Sequence, residues 1–223
     1  MANVEIISVL NLLSGIVALA TSYYAYKNNK LVGSILLKYI SAGFLLLGVG
    51  LLVQAGAEHL ANQTPLDAVQ AVHTRSIEVV SLVLYTIIQV VAYGVFAWGY
   101  GLSAFARKQM PQNAPVPGAA ATLGGKLLAA AIFALAVYVA GQIAIIVLLL
   151  LIVVQGVRVF THSKSNLALM VLFGFALIFG GHLLMLAGVL SSKGVVFLIG
   201  NSIEFLGFLG LLLFLVWSGR VVK

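Results

Sequence analysis

Long apolar runs alternate with short polar breaks along this chain, and most of its charges sit in the breaks. Lys27-Asn28-Asn29-Lys30, Glu58 to Arg75, Arg107 to Gly118, Arg158 to Ser165 and Ser191 to Gly194 interrupt the hydrophobic pattern. The runs lie at about 4–26, 32–57, 77–106, 119–139, 142–160, 167–190 and 195–219. About 20 apolar residues cross a bilayer as a helix, so the pattern predicts seven transmembrane helices. The boundary at Ala140-Gly141-Gln142 carries no charge. It is placed there because one helix over 125–160 would be ~54 Å long against a hydrocarbon core of ~30 Å.

Composition confirms the class: 62% hydrophobic residues, 8% charged residues and a mean hydropathy of +1.16 do not occur together in a soluble domain. The expected fold is all-α, a single polytopic membrane domain over 1–223. There is no cysteine, so thiolate metal sites, iron–sulfur clusters and thiol nucleophiles are excluded. Ala18-Leu19-Ala20 resembles a signal-peptidase site. However, Glu5 and the lack of a basic leading segment make the first run a retained transmembrane helix.

The net charge of +7 reads as orientation in the cell membrane and not as affinity for nucleic acid. With seven spans and the N-terminus outside, Lys27, Lys30, Lys38, Arg107, Lys108, Lys126, Arg158, Lys164, Arg220 and Lys223 fall inside, leaving only Arg75 and Lys193 outside. Six alternating spans would divide the same charges almost evenly. The positive-inside rule therefore favours seven, with the C-terminus inside.

An internal repeat fits this count. Ser34 pairs with Ser165, Leu36 with Leu167, Gly43-Phe44 with Gly174-Phe175, Leu46 with Leu177, Gly50 with Gly181, Leu52 with Leu183 and Lys27 with Arg158, all at one offset. Ser76-Ile77-Glu78 matches Ser202-Ile203-Glu204 at a slightly different one. The expected organisation is a three-helix repeat over 1–106, a Pro-rich linker over 107–118, a linking helix over 119–139 and a second repeat over 140–223. This 3+1+3 layout is similar to that of the SWEET sugar carriers, without any shared residue motif. The rhodopsins' seven spans are matched in number only, because Val195 to Gly219 holds no lysine for a Schiff base.

Candidate chemistry is sparse. His182 and Glu204 each lie eleven positions from Lys193 in the last hairpin, so they sit at equal depth and form a candidate intramembrane polar pair. Ionisable groups inside a membrane face the bundle interior and find partners. The functional reading is proton handling, and the structural one is a hydrogen bond tying two spans together. Gln89 and Asn201 are candidates for a polar path. Glu58, His59, Asp67, His73 and Glu78 cluster around the first outer loop as a candidate metal or pH-sensing group, but no His-Glu-x-x-His spacing defines its geometry. A bis-His haem would need His182 to face His59, and the two differ by ~13 Å in depth. No cofactor is expected.

The loops leave no room for a soluble catalytic domain, and no nucleotide-binding or hydrolase motif occurs. Two functions follow. One is a non-catalytic subunit of a larger membrane assembly, such as an energy-converting complex, with other membrane subunits or further copies of itself as partners. The alternative is a small-solute or proton-coupled transporter whose path runs by Gln89, His182 and Glu204. A polar cavity reaching the bilayer midplane would favour the transporter.

Overall fold

The computed structural model describes residues 2–63, 68–105, 128–164 and 166–221, and these form six helices. They are α1 (Ala2–Val32), α2 (Ile35–Gln63), α3 (Ala68–Phe105), α4 (Leu128–Ser163), α5 (Asn166–Leu190) and α6 (Gly194–Val221). Gly33, at a φ of 66°, ends α1 and donates its N–H to the Asn29 carbonyl at 2.7 Å, a left-handed cap that glycine adopts without a Cβ clash. All six helices contain a stretch long and apolar enough to cross a membrane. The chain is a multi-pass membrane protein.

The boundary expected at Ala140-Gly141-Gln142 is absent. The runs at 119–139 and 142–160 belong to one helix from Leu128 onward, and 119–127 lies outside the described residues, as does the Pro-rich linker. A turn there would leave backbone N–H and C=O groups without partners in hydrocarbon, and Gly141 does not require one. Instead Gly141 packs against the Thr86 side chain, while Gln142 points into the bundle. At 36 residues, or ~54 Å, α4 contains Leu135–Ser163, a stretch long and apolar enough to cross a membrane.

The helices close a ring in chain order, with α6 returning to α1. Contacts fix their directions. Residue pairs such as Ser22 with Ser41, Gly99 with Tyr39, Gly156 with Leu172 and Gly188 with Phe197 make α1–α2, α2–α3, α4–α5 and α5–α6 antiparallel. At the α1–α6 seam the sense is parallel: Asn28 donates to the Leu215 carbonyl at 2.9 Å, while Asn11 shares a cavity with Asn201. The α3–α4 seam is parallel too, because both helices run against α5: Tyr93 and Tyr100 meet His182 and Phe175, while Gln142 and Gly156 meet His182 and Leu172.

One end of the bundle consequently gathers Lys27, Lys30, Lys38, Arg158, Lys164 and the Arg220 position, while Arg75 and Lys193 lie at the other. These are called the basic end and the far end below.

Apolar side chains such as Ile16, Val53, Ile87, Val147, Phe173 and Leu213 face outward, while Asn11, Thr86, Gln89, Gln142, His182, Asn201 and Glu204 are buried. This inversion suits a lipid surround, which rewards no apolar burial but penalises every unpaired polar group. On the axis, Phe44, Phe96, Phe175 and Phe208 meet mostly edge to face, with Phe44–Phe208 and Phe96–Phe175 centroids both 5.7 Å apart.

Glycines set the tightest seam. A Cβ on Gly181 would stand 2.8 Å from the Gly200 carbonyl oxygen and 2.9 Å from the Glu204 nitrogen, both backbone atoms that cannot swing away. Gly181→Ala is therefore expected to cost about 1–3 kcal/mol through forced separation of α5 and α6. Gly180→Ala, which meets nothing within 4 Å, should change stability by no more than about 0.5 kcal/mol. Thermal unfolding of the two variants in detergent checks the contrast.

Candidate functional site

His182 is completely buried on α5, and its imidazole is held from three helices. Gln142 of α4 approaches Nδ1 at 2.8 Å through Oε1, Tyr93 of α3 approaches Nε2 at 3.1 Å through its hydroxyl, and Glu204 of α6 approaches the same Nε2 at 3.3 Å through Oε1. The expected pairing of His182 with Glu204 is present. Equal depth on an antiparallel hairpin set the height, and the close α5–α6 approach at Gly181 and Gly200 brings the two side chains together.

Proton accounting defines what this node can do. Gln142 Oε1 is an acceptor, so Nδ1 carries a hydrogen. Nε2 then exists in two forms. Protonated, it donates to the Glu204 carboxylate as an ion pair; unprotonated, it accepts from the Tyr93 hydroxyl or from a protonated Glu204. A proton can thus sit on either partner without any side chain moving far. The Tyr93 hydroxyl also reaches Glu204 Oε1 at 3.5 Å, so all three groups share one neighbourhood.

Above the node, toward the far end, lies a cavity of about 230 Å³. Polar groups from five helices line it, Asn11, Gln54 and Glu58, Tyr85 and Gln89, Tyr138 and Gln142, and Asn201 and Glu204, and α5 adds Met185. It extends from Glu58, near the far end of α2, down to Glu204, about one helical turn from mid-span. Glu58 accepts from Asn11 Nδ2 at 3.2 Å and from Gln54 Nε2 at 2.9 Å. Gln89 Nε2 donates to the Tyr85 hydroxyl at 2.6 Å. Two amide oxygens in the wall, Gln54 Oε1 and Gln89 Oε1, are buried with no hydrogen-bond partner.

Below the node the ring interior changes character. The four phenylalanines close the axis, with Phe96 stacked edge-on to Tyr93 at 5.8 Å. Beyond them lies a second cavity of about 220 Å³, lined almost wholly by apolar side chains such as Leu36, Ile40, Leu172, Phe175 and Leu211.

Gln89 and Asn201, expected along a polar path, both line the upper cavity. Of the outer-loop cluster, the structure describes two side chains: Glu58 turns inward to Asn11 and Gln54, whereas His59 is exposed on α2. Asp67 and the side chains of His73 and Glu78 lie outside the described residues, and among those described no group of three or more potential ligands converges. Sequence reasoning missed the roles of Asn11, Tyr138 and Gln142. Asn11 and Gln142 did carry a signal, being amides deep in apolar helices, a position that calls for a partner inside the bundle.

If the node couples its members, replacing one leaves the other buried and underpaired. His182→Leu and Glu204→Leu are each expected to destabilise the protein by about 3–5 kcal/mol, and the double variant should be less damaged than the worse single. Unfolding in detergent measures this, and simple additivity would argue against the coupling. Comparison with known protein families, curated proteins and solved structures finds no match to this chain, so function has to be read from the geometry.

Proposed function

We propose that this protein is a proton-coupled carrier of a small solute, loading at the polar cavity and releasing past the phenylalanine layer. The observation that carries this reading is the cavity itself: it is lined by polar groups, spans from Glu58 to Glu204, and ends on a histidine–carboxylate–phenol node able to hold a proton in two positions. A purely structural subunit has no use for unpaired buried amide oxygens, which cost about 1–3 kcal/mol each. The phenylalanine layer and the apolar cavity beneath it have the form of a closed gate to the basic end.

In the same proposal the carrier is a 3+1+3 parallel repeat with seven crossings. Support comes from the parallel α3–α4 seam, which leaves the last described residues of α3 and the first of α4 at opposite ends of the bundle. The pairs expected at one offset also occupy like positions: Phe44 and Phe175 face the axis, and Gly43 and Gly174 each meet the following helix. For the third helices, the glycine contacts align Phe96 with Leu211, because Gly43 meets Phe96 and Gly174 meets Leu211. They do not align Glu78 with Glu204, because Gly50, the partner of Gly181, faces Tyr85 and Ile88.

Two measurements test the proposal. The chain has no cysteine, so Lys30→Cys, Lys164→Cys and Lys193→Cys can be labelled one at a time. The first two should react from one side of sealed vesicles and the third from the other, whereas six alternating crossings would separate Lys30 from Lys164. For activity, proteoliposomes enclosing a pH-sensitive dye are challenged with amines, amino acids, sugars and carboxylates. One class should drive proton movement at least tenfold above protein-free vesicles, with Glu204→Gln abolishing it. Silence across all classes, with a purified protein that holds stoichiometric partner chains, would favour the subunit reading.

A further inference from the structure

The chemistry of the upper cavity wall identifies the class of solute. The lining contributes two carboxylates, Glu58 and Glu204, and among the described residues it includes no lysine, arginine or histidine; His182 stands behind Glu204. Among the described residues, the two buried side-chain atoms without a hydrogen-bond partner are both acceptors and both belong to this wall. Gln89 is only 1% exposed and spends its amino group on the Tyr85 hydroxyl, leaving Oε1 buried and unpartnered, and Gln54 Oε1 is in the same condition. A wall offering negative charge and vacant acceptors calls for a ligand that brings positive charge and N–H donors.

We infer that the far-end cavity binds a small organic cation of the primary-ammonium type, with Glu204 and Glu58 as counter-charges and Gln89 as the neutral acceptor. The inference rests on the carrier reading and names its solute. A bare metal ion fits poorly: hard divalent cations take six to eight closely set oxygens, and this space has room for about eight waters at ~30 Å³ each. The remaining wall suits the carbon part of an organic cation. Leu82, Met185 and Phe197 supply apolar surface, and Tyr85 and Tyr138 in the same lining are of the residue type whose π-system attracts an ammonium. The low-dielectric surround concentrates the field of the two carboxylates in the cavity, so that a cation gains there more than a neutral solute of the same shape.

Calorimetry and melting temperature of the full chain in nanodiscs at neutral pH test this, with butylammonium as the probe and 1-butanol, butyrate, sodium and magnesium as controls. Butylammonium should bind saturably and raise the melting temperature, butanol and butyrate should bind at least tenfold more weakly, and Glu58→Gln, Glu204→Gln and Gln89→Leu should each weaken butylammonium at least tenfold. Glu58→Gln is the variant that leaves the His182 node intact, so its folding can be judged separately from its binding. Equal binding of butanol, binding of sodium or magnesium alone, or undiminished binding in both carboxylate variants would overturn the inference. The vesicle assay keeps the two readings apart. Binding without butylammonium-driven flux would leave the site standing and remove the carrier, whereas flux with another class and no ammonium binding would do the reverse.

Discussion

Everything inside this bundle follows from one constraint: a polar group surrounded by hydrocarbon has no water to turn to, so its partner must come from the protein. The helices place their polar side chains toward a common axis and give lipid the apolar ones. His182 shows the result most completely, with α3, α4 and α6 each supplying a group to its two ring nitrogens. Counting α5, which carries His182, the node joins four of the six helices.

That constraint also makes the two unpartnered amide oxygens informative. In the same interior where Asn28 reaches across to a backbone carbonyl of α6 and Thr86 bonds its own helix, Gln54 and Gln89 keep acceptors idle. They do so only in the wall of the upper cavity. Below the phenylalanines the opposite holds, since the lower cavity is almost entirely hydrocarbon-lined. The axis thus divides into a chamber lined by carboxylates and amides and one lined by hydrocarbon, with the His182 node and an aromatic layer between them.

Close approach of backbones makes the division sharp. Gly181, Gly188 and Gly200 bring α5 and α6 together so tightly that Glu204 is delivered to His182 rather than to a neighbouring turn. On the other half of the ring, Gly43 admits the Phe96 ring and Gly50 admits Ile88. Without an outward hydrophobic driving force, fit of this kind is what associates helices in lipid.

The sequence by itself determined the membrane class, the all-helical character and the equal depth of His182 and Glu204. Each of these depends on composition or on counting along one helix or hairpin, where the rise per residue is constant. Tertiary structure alone decided the rest. Depth can be counted but azimuth cannot, so nothing along the chain indicated that Asn11, Tyr138 and Gln142 share a chamber with Glu58, or that Tyr93 and Gln142 complete the coordination of His182. The apparent break at Ala140-Gly141-Gln142 was misread for a related reason. A glycine beside an amide looks like a turn in one dimension, whereas in three it is the place where α4 meets Thr86 and reaches His182. The parallel sense of α3 and α4 likewise emerges only when both are seen to run against α5, because direction in a ring is a relation between helices and is written in none of them singly.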